Sequence, residues 1–299
     1  MQTLLIPASD HFYLSCALYR VEKPKAVVQI IHGASEYKGR YEQVARALQS
    51  AGYVVLVSDQ RGHGESTSAP FVRGFMPPLD VLVADQWAIT EYLIEEFAAP
   101  VVLLSHSFGA NIARICLARH DRHYRGLIMS GAPFYVRGIG VAKKMTELSI
   151  LLFGPHTSPL VTSKLTTSAS LKWVCSDPAV IEERRTDPYR KNFRYQLASI
   201  HTIFDSVKRL HAWDEYRVEN PEMPILFISG SDDPIPGGKV GLATSKHALR
   251  RVGYKNVSST VFAGMRHEVL MEREKERVFS VIISFLETIV QGGSDNETG

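Results

Sequence analysis

Short apolar runs alternating with helical stripes constrain this chain more than any other feature. The runs lie at 14–19, 26–31, 53–58, 101–104, 127–129, 225–228 and 259–262. Several are rich in Val, Ile and Leu without polar alternation, as expected of strands covered on both faces. Between them, Leu82, Ile89, Leu93 and Phe97 share one helical stripe, and Val278, Ile282, Phe285, Leu286 and Ile289 share another. Strand alternating with helix predicts an α/β fold with a mostly parallel central sheet flanked by helices.

The alternation lapses over 134–223. Helices are expected there at 140–153 and at 196–210, the second with Leu197, Ile200, Phe204 and Val207 on one face. A stretch rich in Ser and Thr, 157–170, reads as loop. The simplest organisation is a core of 1–133 and 224–291, a helical cap of 134–223 over one end of the sheet, and a disordered tail of 292–299. Ile139, Leu148, Ile150, Leu151, Leu152 and Phe153 exceed what one narrow stripe needs. Packing inside the cap is the plain expectation. Lining an acyl pocket or touching a lipid surface, helped by Arg137, Lys143 and Lys144, is the sharper one.

The 299 residues carry a net charge of +3, too small and too evenly spread to advertise a nucleic-acid partner. Cys16, Cys116 and Cys175 lie far apart, which suits a reducing, cytoplasmic setting. The first residues lack the basic start and long apolar run of a secretory signal, and no run is long enough to span a membrane. Phosphate-loop and dinucleotide motifs are missing, so no cofactor is expected. The histidines of His120-Asp121-Arg122-His123 fit a helix end better than a metal site, and His32 and His63 have no neighbours in sequence to complete a ligand set.

The run at 101–104 leads into Ser105-His106-Ser107-Phe108-Gly109 and then a helix-compatible segment. This is a strand, a tight turn and a helix with Ser107 at the apex. Such a turn holds the serine in a strained backbone with its hydroxyl out of the sheet, and small residues two positions either side let strand and helix approach. Further on, Asp232 and Asp233 sit just past the run at 225–228, where a carboxylate can reach a histidine at the same sheet edge. The last run is followed by His267.

Upstream stand His32-Gly33-Ala34-Ser35-Glu36 with Arg40-Tyr41, then Asp59-Gln60-Arg61-Gly62-His63-Gly64-Glu65-Ser66. With the serine turn, these segments resemble the α/β-hydrolase superfamily and, within it, the monoacylglycerol lipase and lysophospholipase-like hydrolases. Their motifs run HG-x-x-E-x-x-x-RY, D-x-x-G-H-G-x-S and S-x-G, in this order. Tyr37 departs from them, standing where those proteins often have His, and Ser105 replaces the first Gly of the serine turn.

The resemblance implies an α/β-hydrolase fold with backbone N–H groups of Ala34 and Phe108 as oxyanion hole. It implies Ser107 as nucleophile, Asp233 rather than Asp232 as the acid by the pattern G-x-x-D, and His267 as base by G-x-x-H. Asp59, Gly62, His63, Gly64 and Ser66 would brace a neighbouring loop. The expected activity is cleavage of a monoacylglycerol, lysophospholipid or similar acyl ester through an acyl-enzyme. The same triad could serve an amide or peptide hydrolase, a thioesterase or a perhydrolase, and the fold could also host a non-catalytic binding protein.

Overall fold

The computed structural model describes residues 1–159, 168–190 and 193–294. The chain opens with strands β1 (Gln2–Pro7), β2 (Tyr13–Tyr19) and β3 (Val27–Ile31). Helix α1 (Glu42–Ser50), strand β4 (Val54–Ser58) and helix α2 (Leu79–Glu96) follow. Strand β5 (Val101–His106), helix α3 (Phe108–His120) and strand β6 (Tyr124–Ser130) complete the first part of the sheet. Helices α4 (Ile139–Phe153), α5 (Pro178–Thr186) and α6 (Leu197–Arg209) come next. The chain closes with β7 (Ile225–Gly230), α7 (Gly238–Val252), β8 (Val257–Phe262) and α8 (Lys275–Ser294).

The strands form one eight-stranded sheet in the order β1-β2-β4-β3-β5-β6-β7-β8. β2 pairs antiparallel with β1 and β4, and every other pair is parallel. Both faces are covered. Along β3, Val27 and Ile31 join a core with Ile89, Leu93 and Ile112, while Val28 and Ile30 join another with Val44, Leu48, Val278 and Ile282. Each such side chain contributes about 1.5–3 kcal/mol by leaving water. That two-sided burial is why several of the parallel strands read as Val-, Ile- and Leu-rich runs rather than alternating ones. Among the described residues, no helix is long and apolar enough to cross a membrane.

Two elements carry little apolar signal. β1 is an edge strand held by its ladder to β2, from Gln2 opposite Leu18 to Pro7 opposite Tyr13, with mostly exposed side chains. α5 buries only Arg184. Its start is nonetheless legible, because Asp177 caps it by accepting the Ala179 N–H and Pro178 takes the first turn. Of the expected loop at 157–170, residues 160–167 lie outside the described ones, and Ser168–Trp173 forms 3-10 turns. α8 continues to Ser294, three residues into the segment 292–299 expected to be disordered; 295–299 lie outside the described residues.

The order in which strands are added reverses at β3: from β3 the chain passes to β4 on one side, then returns to β5 on the other. The carboxyl ends of strands at such a switch point frame a crevice where ligands bind. Between β6 and β7, the described residues contain helices and no strand. This insertion is tied down by polar bonds from α6. Ser199 Oγ accepts the Met76 N–H and donates to the Gly74 carbonyl, Thr202 donates to the Pro77 carbonyl, and Asn111 of α3 donates to Ser206.

Candidate active site

Ser107 sits between β5 and α3 with φ 52° and ψ −120°. A residue with a side chain adopts such a backbone only when its surroundings hold it, at a cost of about 1–3 kcal/mol. Here its N–H donates to the Ser130 carbonyl at 2.9 Å, and the next strand end is fixed by Gly131 N–H to the Ile228 carbonyl. Gly109 explains the small residue two positions on. A Cβ there would lie 2.3 Å from the Ile31 carbonyl oxygen, so any other residue would push α3 off β3. On the other side, Ser105 is buried and its hydroxyl donates to the Ile128 carbonyl.

The other strand ends bring their residues to the same place. His267, in the turn after β8, has Nε2 at 2.8 Å from Ser107 Oγ and Nδ1 at 2.9 Å from Asp233 Oδ2. Asp233 is buried, and its second oxygen accepts the Ile235 N–H. Asp232 is exposed and bonded to Ser231. With the carboxylate accepting at Nδ1, Nε2 is left to accept the serine proton. Gly131 has φ 56°, and a Cβ on it would stand 2.8 Å from the imidazole; glycine there makes room for the ring. Trp173 and Val174 of the insertion also hold this turn, through bonds from the His267 and Glu268 N–H groups.

Ala34 lies in the turn after β3, and Phe108 opens α3. Neither N–H finds an acceptor among the described residues, and both residues line the same cavity as Ser107. Two free donors beside a serine hydroxyl can stabilise a developing oxyanion. The insertion grips this turn at Ser35, whose φ is 55°. The Tyr195 hydroxyl accepts the Ser35 N–H, and Arg190 donates to the Ser35 carbonyl.

Behind the turn lies a buried charge cluster. Glu36 accepts from the Gly33 N–H at 2.8 Å and from the Tyr41 hydroxyl at 2.7 Å. Glu268 accepts from Arg40 at 2.8 Å and pairs with Arg184, which is 3.6 Å from Glu36. Burial alone would raise the Glu36 pKa, but the charges of Arg40 and Arg184 and the bond from the Tyr41 hydroxyl more than offset it and hold the carboxyl below its usual range. Burial takes His106 down to about 4, so its imidazole is neutral. Glu36, His106 and Glu268 bring ligand atoms within 4.8 Å of one another, which is metal-like spacing. Both carboxylates already pair with Arg40 and Arg184, however, and that charge repels a cation.

Two cavities meet at Ser107. One, of about 370 Å³, is apolar and lined by Phe134, Val136, Ile139, Ile203, Phe204 and Val207. The other, of about 150 Å³, is mixed, lined by His267, Glu36, Glu268, Arg184 and Arg190 together with Leu171, Trp173 and Val174. A larger cleft of about 1010 Å³ near Arg119 and Arg209 touches none of these site residues. The apolar residues late in α4 do not line the site. Leu151 is 81% exposed, and Leu148, Leu152 and Phe153 face outward beside it, because α6 covers only the opposite side of α4. Of the group singled out from the sequence, Ile139 reaches the cavity.

A family model described as Serine aminopeptidase, S33 matches residues 22–274. The chain belongs to this family of α/β-hydrolases. It is 25% identical over 264 residues to the monoacylglycerol lipase of Mycolicibacterium smegmatis, covering 88% of each chain. It is likewise 25% identical over 285 residues to the phospholipase YtpA of Bacillus subtilis, covering 91% of this chain and 99% of that one. A thermostable carboxyl esterase from Bacillus coagulans has the same fold, with a TM-score of 0.86 at 22% identity over 97% of this chain and 98% of the other.

The remaining family segments serve as braces. Asp59 accepts from the Lys38 and Glu65 N–H groups, and the Ser66 hydroxyl accepts from the Ser15 N–H. His32 accepts from the Gln60 N–H, and His63 is pushed to about 3 by burial, so both rings are neutral structural parts. His120 stacks on Trp87 at 3.8 Å, and Asp121 accepts from Glu219, Asn220 and Tyr254. Sequence reasoning missed Arg184, Arg190, Tyr195 and Glu268 as site neighbours. Nothing in their local pattern marks them, since three come from the insertion and meet the site only in the folded chain.

Proposed function

We propose that this protein hydrolyses carboxylic acyl esters through an acyl-enzyme on Ser107. The observation that supports this is the continuous chain from Asp233 through His267 to Ser107, at the mouth of an apolar cavity. In this reading, His267 takes the Ser107 proton as the hydroxyl attacks the ester carbonyl. The Ala34 and Phe108 N–H groups receive the tetrahedral oxyanion. His267 then gives its proton to the leaving alcohol, Asp233 stabilises the imidazolium, and water resolves the acyl-enzyme by the same route.

The apolar cavity takes the acyl chain. Each methylene buried there is worth about 0.8 kcal/mol, so medium acyl chains are favoured over acetate. An aminopeptidase would need a carboxylate on the acyl side to receive the substrate ammonium, and none of the described residues lining this cavity carries one. That favours an acyl ester over an N-terminal peptide.

Residues 134–223 act as the cap. The outer face of α4, with Val141, Met145, Leu148 and Leu152 at helical spacing, meets the lipid surface that holds the substrate. With Cys16, Cys116 and Cys175 free and buried, we place the protein in the cytoplasm.

The test is a fluorophosphonate label read by mass spectrometry together with p-nitrophenyl butyrate turnover. Ser107→Ala is expected to lose both, with its thermal midpoint little changed. Labelling that persists in Ser107→Ala, or that appears on Ser105, overturns the assignment.

A further inference from the structure

The cavity assigned to the acyl chain is apolar apart from one side chain. Besides Ser107 itself, Asn111 is the only residue with a polar side chain among the described residues on its wall. Asn111 stands on α3, which begins at Phe108, so it follows the nucleophile by about one helical turn. One such turn advances about 5.4 Å, and helical side chains lean back towards the N-terminus, so this amide belongs to the part of the wall nearest Ser107.

Half of that amide is accounted for. Asn111 is 1% exposed, and its Nδ2 donates to Ser206 Oγ at 2.9 Å, which ties α3 to α6. Ser206 gives its own proton to the Ile203 carbonyl, so towards Asn111 it can only accept, and this fixes which end of the amide points at it. Asn111 Oδ1 is left with no hydrogen-bond partner among the described residues. The tether to α6 uses the donor alone and gives no reason for the oxygen. A buried acceptor left unanswered is costly. Water answers it poorly, because a buried water needs about two to four polar partners and, beyond the groups around Ser107, the wall offers Ile, Val, Phe and Pro side chains.

A donor carried in on the acyl chain would satisfy this oxygen. An ammonium does not suit it, because one neutral acceptor cannot compensate a desolvated charge. An amide N–H brings a carbonyl of its own, which apolar walls leave unanswered. A hydroxyl supplies the proton with the least added polar surface. We infer that the acyl half of the substrate carries a hydroxyl close to its carbonyl, on the third carbon, and that Asn111 Oδ1 accepts from it. This rests on the acyl-ester reading and narrows the acyl group that the cavity selects.

The experiment follows acid release from the ethyl esters of octanoate, (R)-3-hydroxyoctanoate and (S)-3-hydroxyoctanoate, each below its aggregation concentration. One enantiomer is expected to exceed octanoate by about 3- to 10-fold in kcat/KM, the net effect of one neutral hydrogen bond. The other is expected to fall below octanoate, because its hydroxyl meets apolar wall. The pair separates recognition from chemistry, since both hydroxyls withdraw electrons equally from the ester carbonyl. In Asn111→Leu, which keeps the side-chain volume and removes the acceptor, the preferred enantiomer is expected to lose its advantage over octanoate.

Hydroxy esters that are both no faster than octanoate overturn this inference and leave the ester reading standing. An advantage that survives Asn111→Leu overturns the role given to Asn111. Absence of hydrolysis of all three esters overturns the ester reading itself, and this inference with it. If Asn111→Leu does not fold, the wild-type comparison of the three esters decides.

Discussion

Tyr195→Phe removes a hydroxyl by which the insertion holds the turn at Ser35, through the Ser35 N–H and, more weakly, the Ser35 hydroxyl and His63. The Tyr195 hydroxyl accepts the Ser35 N–H at 2.5 Å, next to Ala34, the proposed oxyanion donor. Burial raises the phenol to about 12, so it is neutral at working pH and its oxygen is free to accept. Ser35 has φ 55°, a conformation that relaxes once its hydrogen bonds go.

The substitution keeps the ring contacts with His63 and Phe193 and removes only the oxygen. Losing the acceptor of a part-buried N–H costs about 1–3 kcal/mol. If that loss falls on the transition state alone, it is roughly 5-fold to 150-fold in rate. Ser35 is only partly buried, so water recovers some of the loss and the lower end applies. The expected result is kcat on p-nitrophenyl butyrate down about 5- to 10-fold, with KM within about twofold. An oxyanion donor acts on the transition state and hardly on bound substrate. The assay is steady-state kinetics beside thermal unfolding. A folded variant with wild-type kcat, or with the whole loss in KM, would show that this bond does not set the turn.

Three other perturbations test separate parts. Asp233→Asn should lower kcat by about 10⁴-fold through loss of the imidazole tautomer, and Asp232→Asn far less; the reverse order in measured rates would contradict the geometry. Replacing Leu148 and Leu152 with Asp should weaken sedimentation with phospholipid vesicles and slow turnover of dispersed monoacylglycerol, while p-nitrophenyl butyrate turnover holds; equal loss on both substrates speaks against a lipid-facing α4. Stability should fall below pH 6.5, because an unfolded histidine binds a proton there while buried His106 and His63 resist until about 4 and 3. The loss is about 1.4 kcal/mol per pH unit for each histidine as the pH falls from 6.5 towards 4. A urea midpoint at pH 5 equal to that at pH 7.5 would refute it.

How much of this was legible beforehand depends on whether a feature repeats along the chain or arises between distant parts of it. The parallel strands were legible because a strand buried on both faces is mostly apolar, as β3 and β4 are apart from Gln29 and Ser58. α2 and α8 were legible because each buries a stripe at helical spacing. The turn at Ser107 announced itself because strained backbone and close approach require small residues, and Gly109 against the Ile31 carbonyl shows the requirement physically. β1 left little trace, since an edge strand is held by backbone bonds that carry no side-chain signature.

The acidic pair stayed ambiguous from residue type alone, because adjacent side chains diverge and only tertiary packing buries one of them. The outward face of α4 was read as apolar but could not be placed, since periodicity gives a stripe without saying what covers it. The charge balance beside Ser107 belongs wholly to the tertiary structure. Arg184 and Arg190 are ordinary polar residues of a weakly patterned insertion until the fold lays them against Glu36, Glu268 and His267. Sequence by itself determined the sheet, the serine turn and the order of the strand-end residues, because those follow from local sterics and burial. Which charges share a cavity is decided by the long-range path of the chain, and no local pattern encodes that path.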